Sequence, residues 1–310
     1  MTPTPIEIKS VNRNTSKNII SALLSSNGIT RGELAKRCGV SAMTVGKVVN
    51  VLHKADYASI ASDITKSGRL SEFIYPSKRF RFLIFTIDTA TLRANLYDAR
   101  ENTLLSYTQP RNPSFEPQTE IESFISFVYE ELEPINASDN AFLLSALIYD
   151  GDCIKALGSL TLDKISLRTD NRRAILEYVK SAHPNGSVAF VCANKAHISL
   201  ISNGEAVNSK SAPTAKDTCT AHSEQSLLDM LSLRLTNLFA VIIPDKIIID
   251  SASLSLSRRF ANELEERLCE SARLKKEELP ELITNNGISF PSRAVIGQLI
   301  SIYSELIIAN

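Results

Sequence analysis

TRGELAKRCGVSAMTVGKVVNVLHK, residues 30–54, is the stretch that decides the reading of this chain. Thr30 and Glu33 have capping-box spacing, in which each side chain satisfies an amide of the first turn that has no partner inside the helix. Leu34 and Ala35 give that short helix a buried face. Gly39 falls where a left-handed residue closes a helix, Val40 plugs the turn, and Ser41 offers an N-cap to the next helix. There Val45, Val48, Val49 and Leu52 recur at i, i+3, i+4 and i+7, which leaves Met43, Thr44, Lys47, Asn50 and Lys54 on the opposite face. Upstream, Asn14-Thr-Ser-Lys17 caps a helix carrying Ile19, Ile20, Leu23 and Leu24, and Asn27-Gly28 stops it. Three short helices, the last polar on its outer face, have the layout of a DNA-reading helix-turn-helix. A plain three-helix bundle shares the apolar spacing, so the residues that follow must distinguish the two.

They do. Tyr57-Ala-Ser-Ile-Ala61 and Leu70-Ser-Glu-Phe-Ile-Tyr75 alternate like strands around the polar tip Ser67-Gly68-Arg69. Two strands joined by a basic, glycine-containing tip read as a wing, which can rest on phosphates or enter the minor groove while the third helix occupies the major groove. The expected DNA-binding residues are Ser41, Ala42, Met43, Thr44 and Lys47 on the third helix, with Arg31, Gly68 and Arg69 beside them. Met43, Thr44 and Lys47 are expected at base edges, and Arg31 and Arg69 at the backbone.

Charge distribution agrees. The whole chain of 310 residues balances 34 basic against 34 acidic side chains, yet residues 1–80 hold 12 Lys/Arg against 5 Asp/Glu, a net of +7, and the remainder carries −7. Neutralising phosphates supplies much of the affinity for DNA, and only the N-terminal module is equipped for it. The expected division is a winged helix-turn-helix over residues 1–77 and a larger domain over 78–310. No apolar run approaches the roughly 20 residues needed to span a membrane, and the opening Met1-Thr-Pro-Thr-Pro lacks a signal-peptide apolar region. A cytoplasmic protein is expected. Cys38, Cys153, Cys192, Cys219 and Cys269 are scattered and never form a CxxC pair, which argues against a disulfide framework and a zinc site.

From about Phe80 the pattern turns to strands and helices. Phe82–Ile87, Arg93–Tyr97 and Leu104–Thr108 read as consecutive strands, followed by a helix over 118–132, a strand over 142–149 and a helix over 171–182. Strands over 188–192 and 198–202 come next, the second leading through the turn signal Asn203-Gly204 to Ala206-Val207. Helices over 223–239, 256–272 and 292–308 complete the chain, with the apolar strand Ile247-Ile-Ile249 among them. Interleaved strands and helices indicate an α/β domain with a mixed sheet covered on both faces. No internal repeat is visible in the residues.

At this point the chain resembles a family. The winged helix, the Ser67-Gly68-Arg69 stretch leading into a strand, and Phe85-Thr-Ile-Asp88-Thr-Ala-Thr-Leu-Arg93 look like the repressors of the ROK family, which fuse such a module to a two-lobed, actin-like (ribonuclease H-like) sugar-kinase fold. In the same order, Thr169-Asp170-Asn171 falls at the family's Asn-Asp-Ala-Asn motif, Ile201-Ser-Asn-Gly204 at its hydrophobic-Asp-Gly hairpin, Pro244-Asp-Lys-Ile at its Pro-Glu-x-Ile strand, and Val295-Ile-Gly297 at the Gly-Ala pair that opens the last helix.

The departures from that pattern bear on function. The family's kinases hold ATP phosphates with an Asp-x-Gly-Gly-Thr turn, since glycine lets backbone amides approach an anion. Here the turn reads Asp88-Thr-Ala-Thr-Leu92, and the second, glycine-rich phosphate loop is replaced by Ala193-Asn-Lys-Ala-His-Ile-Ser199. Residues 81–310 hold six glycines, none adjacent. The family's cysteine-rich zinc loop is missing too, with Cys219 alone beside His222. Asp170 aligns with the kinases' catalytic base; it reads either as an N-cap for the helix at Asn171 or as a retained ligand contact, and Asp88 as its companion. The expectation is therefore a DNA-binding transcriptional regulator, a repressor of carbohydrate-related genes, without enzymatic activity, cofactor or metal. Its expected partners are a double-stranded DNA operator, a sugar or sugar-phosphate effector held by Asp88 and Asp170, and a second copy of the chain. The alternatives are an ATP-dependent sugar kinase and a DNA-binding protein whose C-terminal domain only dimerises.

Overall fold

The caps written into the first residues form as the sequence predicts. In the computed structural model, which describes residues 3–9, 11–64, 70–88, 90–112, 114–149, 164–192, 197–203, 205–207, 224–250, 259–284 and 289–308, α2 (Arg31–Cys38) starts on a complete Thr30/Glu33 capping box and ends on Gly39 at φ 66°. The Ser41 side chain accepts from the Thr44 amide to start α3 (Ala42–Lys54), whose Val45, Val48, Val49 and Leu52 are buried. α1 (Arg13–Leu24) differs at both ends: its N-cap is Asn12, not Asn14, and it stops at Ser25 before Gly28 is reached. Gly28 serves the turn beyond, at φ 98°, where a Cβ would lie 2.3 Å from the Tyr75 ring. β1 (Ile29–Thr30), β2 (Ala58–Ile64) and β3 (Leu70–Pro76) form a sheet in the order β1-β3-β2. Ile64 pairs with Leu70 at the outer end of the wing. The expected tip residues Gly68 and Arg69 lie outside the described residues, as do Gly204, Cys219, His222, residues 193–196 of the second expected phosphate loop and the start of the helix expected from 256.

The chain divides into two compact units, residues 1–171 with 295–310, and residues 172–294. The winged helix shares the first unit with a five-stranded sheet of β4 (Phe80–Ile87), β5 (Thr91–Asp98), β6 (Thr103–Pro110), β7 (Phe142–Tyr149) and β8 (Leu167–Asp170), ordered β6-β5-β4-β7-β8. β5 is antiparallel to both β4 and β6, whereas β7 is parallel to both β4 and β8. β4 is buried almost throughout because both of its faces are covered. Leu83, Phe85 and Ile87 meet α4 (Pro117–Ser138) through Ile121, Phe124 and Val128. Phe80 and Phe82 face Tyr303 of α8 (Phe290–Ile307) at ring distances of 5.0 and 5.6 Å. α4 continues through Pro134, where the sequence pattern alone stops it.

The winged helix is fastened to this sheet by an aromatic cluster. Tyr57, at the end of the turn after α3, packs against Phe80 and Phe142 at 5.9 and 5.4 Å, and its hydroxyl donates to the Thr4 carbonyl at 2.6 Å. Lys17 of α1 pairs with Glu305 of α8 at 2.6 Å, and the Ile6 amide donates to the Ile307 carbonyl.

The second unit repeats the plan. α5 (Asn171–Ala182) is followed by β9 (Ser187–Cys192), β10 (His197–Ser202), β11 (Glu205–Ala206), α6 (Glu224–Phe239), β12 (Lys246–Asp250), α7 (Phe260–Ala272) and β13 (Glu281–Thr284). The sheet order is β11-β10-β9-β12-β13. β9, β10 and β11 are antiparallel and β12 is parallel to β9 and β13. In each sheet the strands therefore lie third, second, first, fourth, fifth in chain order, the ribonuclease H-like arrangement. α6 and α7 cover one face through Leu227, Leu231, Leu264 and Leu268, and Ile175, Val179 and Phe290 cover the other. Among the described residues no helix is long and apolar enough to cross a membrane.

Candidate nucleic-acid interface

α3 presents its polar face as the apolar spacing requires. With four apolar side chains committed to the core, Ser41, Ala42, Met43, Lys47 and Asn50 are left exposed and Thr44 half-buried. Met43 is 74% exposed, so its thioether is open to solvent at the start of the helix. The Thr44 and Ser41 hydroxyls are bonded to each other at 2.9 Å, which fixes the first turn. Arg31, at the start of α2, reaches Glu72 on β3 at 3.7 Å, an exposed and therefore weak pair that leaves it close to the wing stem. α3 thus brings five of the eight expected DNA-binding residues onto one helix end, with Arg31 nearby.

One residue on that face was missed by the periodicity argument. Gly46 sits mid-helix, where glycine costs about 1 kcal/mol relative to alanine, and a Cβ there would meet nothing within 4 Å. No packing constraint explains it. The signal was present as a glycine inside an otherwise regular helix, one residue from Lys47.

The expected ligand carboxylates lie elsewhere, at the carboxyl ends of parallel strands of the first sheet, the edge at which open α/β sheets bind ligands. Ile87 at the end of β4 pairs with Tyr149 of β7, and Tyr149 with Asp170 of β8. Asp88 follows that row by one residue, and two strand spacings separate it from Asp170, about 10 Å. The two carboxylates share an edge without touching.

Asp88 is occupied by its own turn. Its Oδ1 accepts from the amides of Ala90 and Thr91, both at 2.7 Å, and its Oδ2 from Thr91 Oγ1 at 2.8 Å and Arg93 Nη2 at 2.9 Å. Burial pushes this carboxyl up, but the bonds from Ala90 and Thr91 and the Arg93 charge outweigh it and hold Asp88 below the ordinary carboxylate range. The amides that a glycine turn would offer to a phosphate are here spent on a side chain. A depressed folded value stabilises the protein above the unfolded pKa of about 4, and that stabilisation is lost as pH falls through the folded value. Asp88→Asn should remove it, costing about 1–3 kcal/mol at pH 7 because an amide group would face donors. Urea unfolding at pH 7 and pH 3 checks this: the gap between variant and wild type should narrow at the lower pH.

No family model and no curated protein sequence matches the chain. A solved structure does: a ROK family transcriptional regulator, a homolog of the E. coli MLC protein, superposes with a TM-score of 0.54 over 95% of this chain and 98% of its own, at 12% identity. The chain shares the fold of that regulator. Its winged helix-turn-helix and the actin-like α/β part that follows are covered together in this match. A ROK family protein from Streptococcus pneumoniae in complex with sucrose (TM-score 0.41, 10% identity, 73% of this chain and 98% of that one) and a ROK hexokinase from Thermus thermophilus (0.38, 9%, 73% and 99%) are more distant likenesses that do not bear on chemistry.

Proposed function

We propose that this chain is a sequence-specific transcriptional regulator that binds a double-stranded operator through residues 1–77, represses carbohydrate-related genes, and uses residues 78–310 for dimerisation and effector sensing. The observation that carries the reading is the outer face of α3: exposed Met43 and Lys47, a glycine between them, and an ROK regulator fold around it. In this reading Met43, Thr44 and Lys47 read base edges, Ser41 and Ala42 bring the helix end to the groove, and Arg31, Gly68 and Arg69 hold phosphates. A single winged helix buries a small interface, so a homodimer presenting two wings to half-sites one or more helical turns apart fits regulatory affinity. Selection of bound sequences from a random duplex pool tests the whole proposal: enrichment of a palindromic site supports it, and no enrichment overturns it.

Gly46 has a role in the same scheme. Without a side chain, α3 can sink closer into the groove. Gly46→Ala should stabilise the fold by up to about 1 kcal/mol and weaken operator binding, an opposition that a purely structural glycine would not produce. Thermal unfolding and operator titration on the same variant check both signs.

The C-terminal part is proposed to lack phosphoryl transfer. A phosphoryl transition state needs a preorganised cradle of donors, and the amides of the Asp88 turn already have an acceptor. Purified protein is expected neither to hydrolyse ATP nor to phosphorylate hexoses above background; turnover that vanishes in Asp170→Asn would restore the kinase reading. Asp170 is the proposed side-chain contact of the effector, with the Asp88 turn beside it bounding the same edge, and a sugar that stabilises wild type but not Asp170→Asn is the expected signature.

A further inference from the structure

The first unit holds a cavity of about 580 Å³ where the stem of the wing meets the turn after β5, lined by Lys78, Arg79, Arg81 and Arg100 with Asp98 and Asp139. Its size falls within the roughly 300–1,000 Å³ of small-molecule pockets. It is not the carboxylate edge described above, because Arg81 lies at the start of β4 and Asp88 follows its far end.

The two carboxylates of the lining are already used. Asp98 Oδ1 accepts the amides of Arg100 and Asn102, both at 2.8 Å, and Oδ2 accepts from Asn102 Nδ2 at 2.9 Å. Asp139 is the ion-pair partner of Arg81. On the cationic side, Arg79 lies 4.0 Å over the Phe142 ring and donates to the Asn140 carbonyl and to Asp56. Arg100 lies 4.5 Å over the Tyr75 ring, and neither its guanidinium nor the Lys78 ammonium has an acceptor among the described residues. Arg81 has a side chain only 7% exposed, with an Nε that is buried and bonded to nothing. Four cations stand around one space, against Asp98 and Asp139 in the lining and Asp56 paired with Arg79. Only Arg79 and Arg81 are in ion pairs with these carboxylates, and the remaining excess of positive charge favours an anion.

We propose that this cavity binds a phosphorylated small molecule, whose phosphate lies between Lys78 and Arg100 with Arg79 and Arg81 behind it. A duplex backbone is the less suitable occupant, since a convex, stiff double strand cannot follow cations into a recess whose rear arginine is almost wholly buried. The site touches the winged helix directly. Arg100 is seated on Tyr75 of β3, the Tyr75 hydroxyl donates to Asp63 of β2 at 3.0 Å, and the same ring closes over Gly28 in the turn after α1. A phosphate that draws Arg100 toward Lys78 changes the support under that ring, and hence the seating of the wing.

Titration calorimetry on the full chain, with inorganic phosphate, glucose 6-phosphate and glucose as probes, tests the binding. Inorganic phosphate and glucose 6-phosphate are expected to bind and to compete with each other, while glucose gives no competing signal. Lys78→Gln/Arg100→Gln should lower phosphate affinity at least about tenfold, as expected for the loss of two charge-assisted hydrogen bonds. Lys78→Gln alone, at an exposed position, provides the same test at smaller amplitude if the double variant does not fold. Absence of phosphate binding, or equal affinity in wild type and both variants, overturns the proposal. The coupling to the wing rests on the regulator reading and is measured separately, as operator affinity with and without glucose 6-phosphate. A change seen in wild type and abolished in the variant supports the coupling, and no change rejects that part while leaving the calorimetric result to decide the site. Loss of operator affinity in the variant without any phosphate binding would assign the residues to DNA and overturn the site.

Discussion

Tyr303→Ala should lower the stability of the protein by about 3–5 kcal/mol, the cost of removing a large aromatic ring from a packed core. The residue is fully buried near the C-terminal end of α8, its ring meets Phe80 and Phe82, and its hydroxyl donates to the Phe142 carbonyl at 2.6 Å with the Arg81 carbonyl at 3.1 Å. Burial pushes the phenol far above its ordinary range, so it remains a neutral donor at any working pH. Those two carbonyls belong to adjacent parallel strands, and Phe80 and Phe142 also carry Tyr57 of the winged helix. The loss should therefore loosen the first sheet and the seating of the DNA-binding module together. Tyr303→Phe separates the contributions: it keeps the ring and should cost only about 1–3 kcal/mol for the unsatisfied carbonyls. Urea unfolding followed by far-ultraviolet dichroism gives both values, and an alanine variant less than about 1 kcal/mol below wild type would contradict the packing argument.

Lys47→Ala is expected to cost about 1–3 kcal/mol of operator affinity, or roughly 5- to 150-fold, if its ammonium reaches a base edge. Arg69→Ala should weaken binding to all sequences more evenly and reduce the salt slope by about one, because a phosphate contact releases one counterion without reading sequence. Lys47 is exposed on α3, with no ion-pair partner among the described residues, so its removal has little to disturb in the fold. Fluorescence anisotropy on operator and scrambled duplexes, at two or more salt concentrations, distinguishes the two behaviours. Equal binding by wild type and the Lys47→Ala/Arg69→Ala double variant would sink the winged-helix reading of function.

The recessed basic cavity and the Asp88 turn show two uses of charge in one unit. Around Asp88, donors and carboxylate satisfy one another and the turn becomes a closed structural element. Around Arg81 and Arg100, cations outnumber the available carboxylates. The two ends of β4 therefore differ in charge balance, with a self-satisfied carboxylate turn after one and an excess of cations at the other.

The sequence by itself determined what is settled within one or two turns of chain. The Thr30/Glu33 capping box, the left-handed Gly39, the Ser41 cap and the buried stripe of α3 depend on neighbours no more than a few residues away, so they can be read without knowing the fold. The strands β4 and β7 were legible for a related reason, since burial on both faces demands unbroken apolar runs. Short elements without such a run escaped: β1, β8 and β13 are 2, 4 and 4 residues long and exist because a longer neighbour supplies their hydrogen bonds. The repeated strand order of the two sheets could not be read from periodicity, because many apolar sequences satisfy the same pairing, and was expected only through the family resemblance carried by the order of the motifs. Tertiary structure alone decided that the Asp88 carboxylate is spent on its own turn, that Tyr303 would bond to Arg81 from 222 residues away, and that four cations would converge around one cavity. Those facts come from the juxtaposition of distant segments, where the free energy lies in contacts that no local pattern specifies.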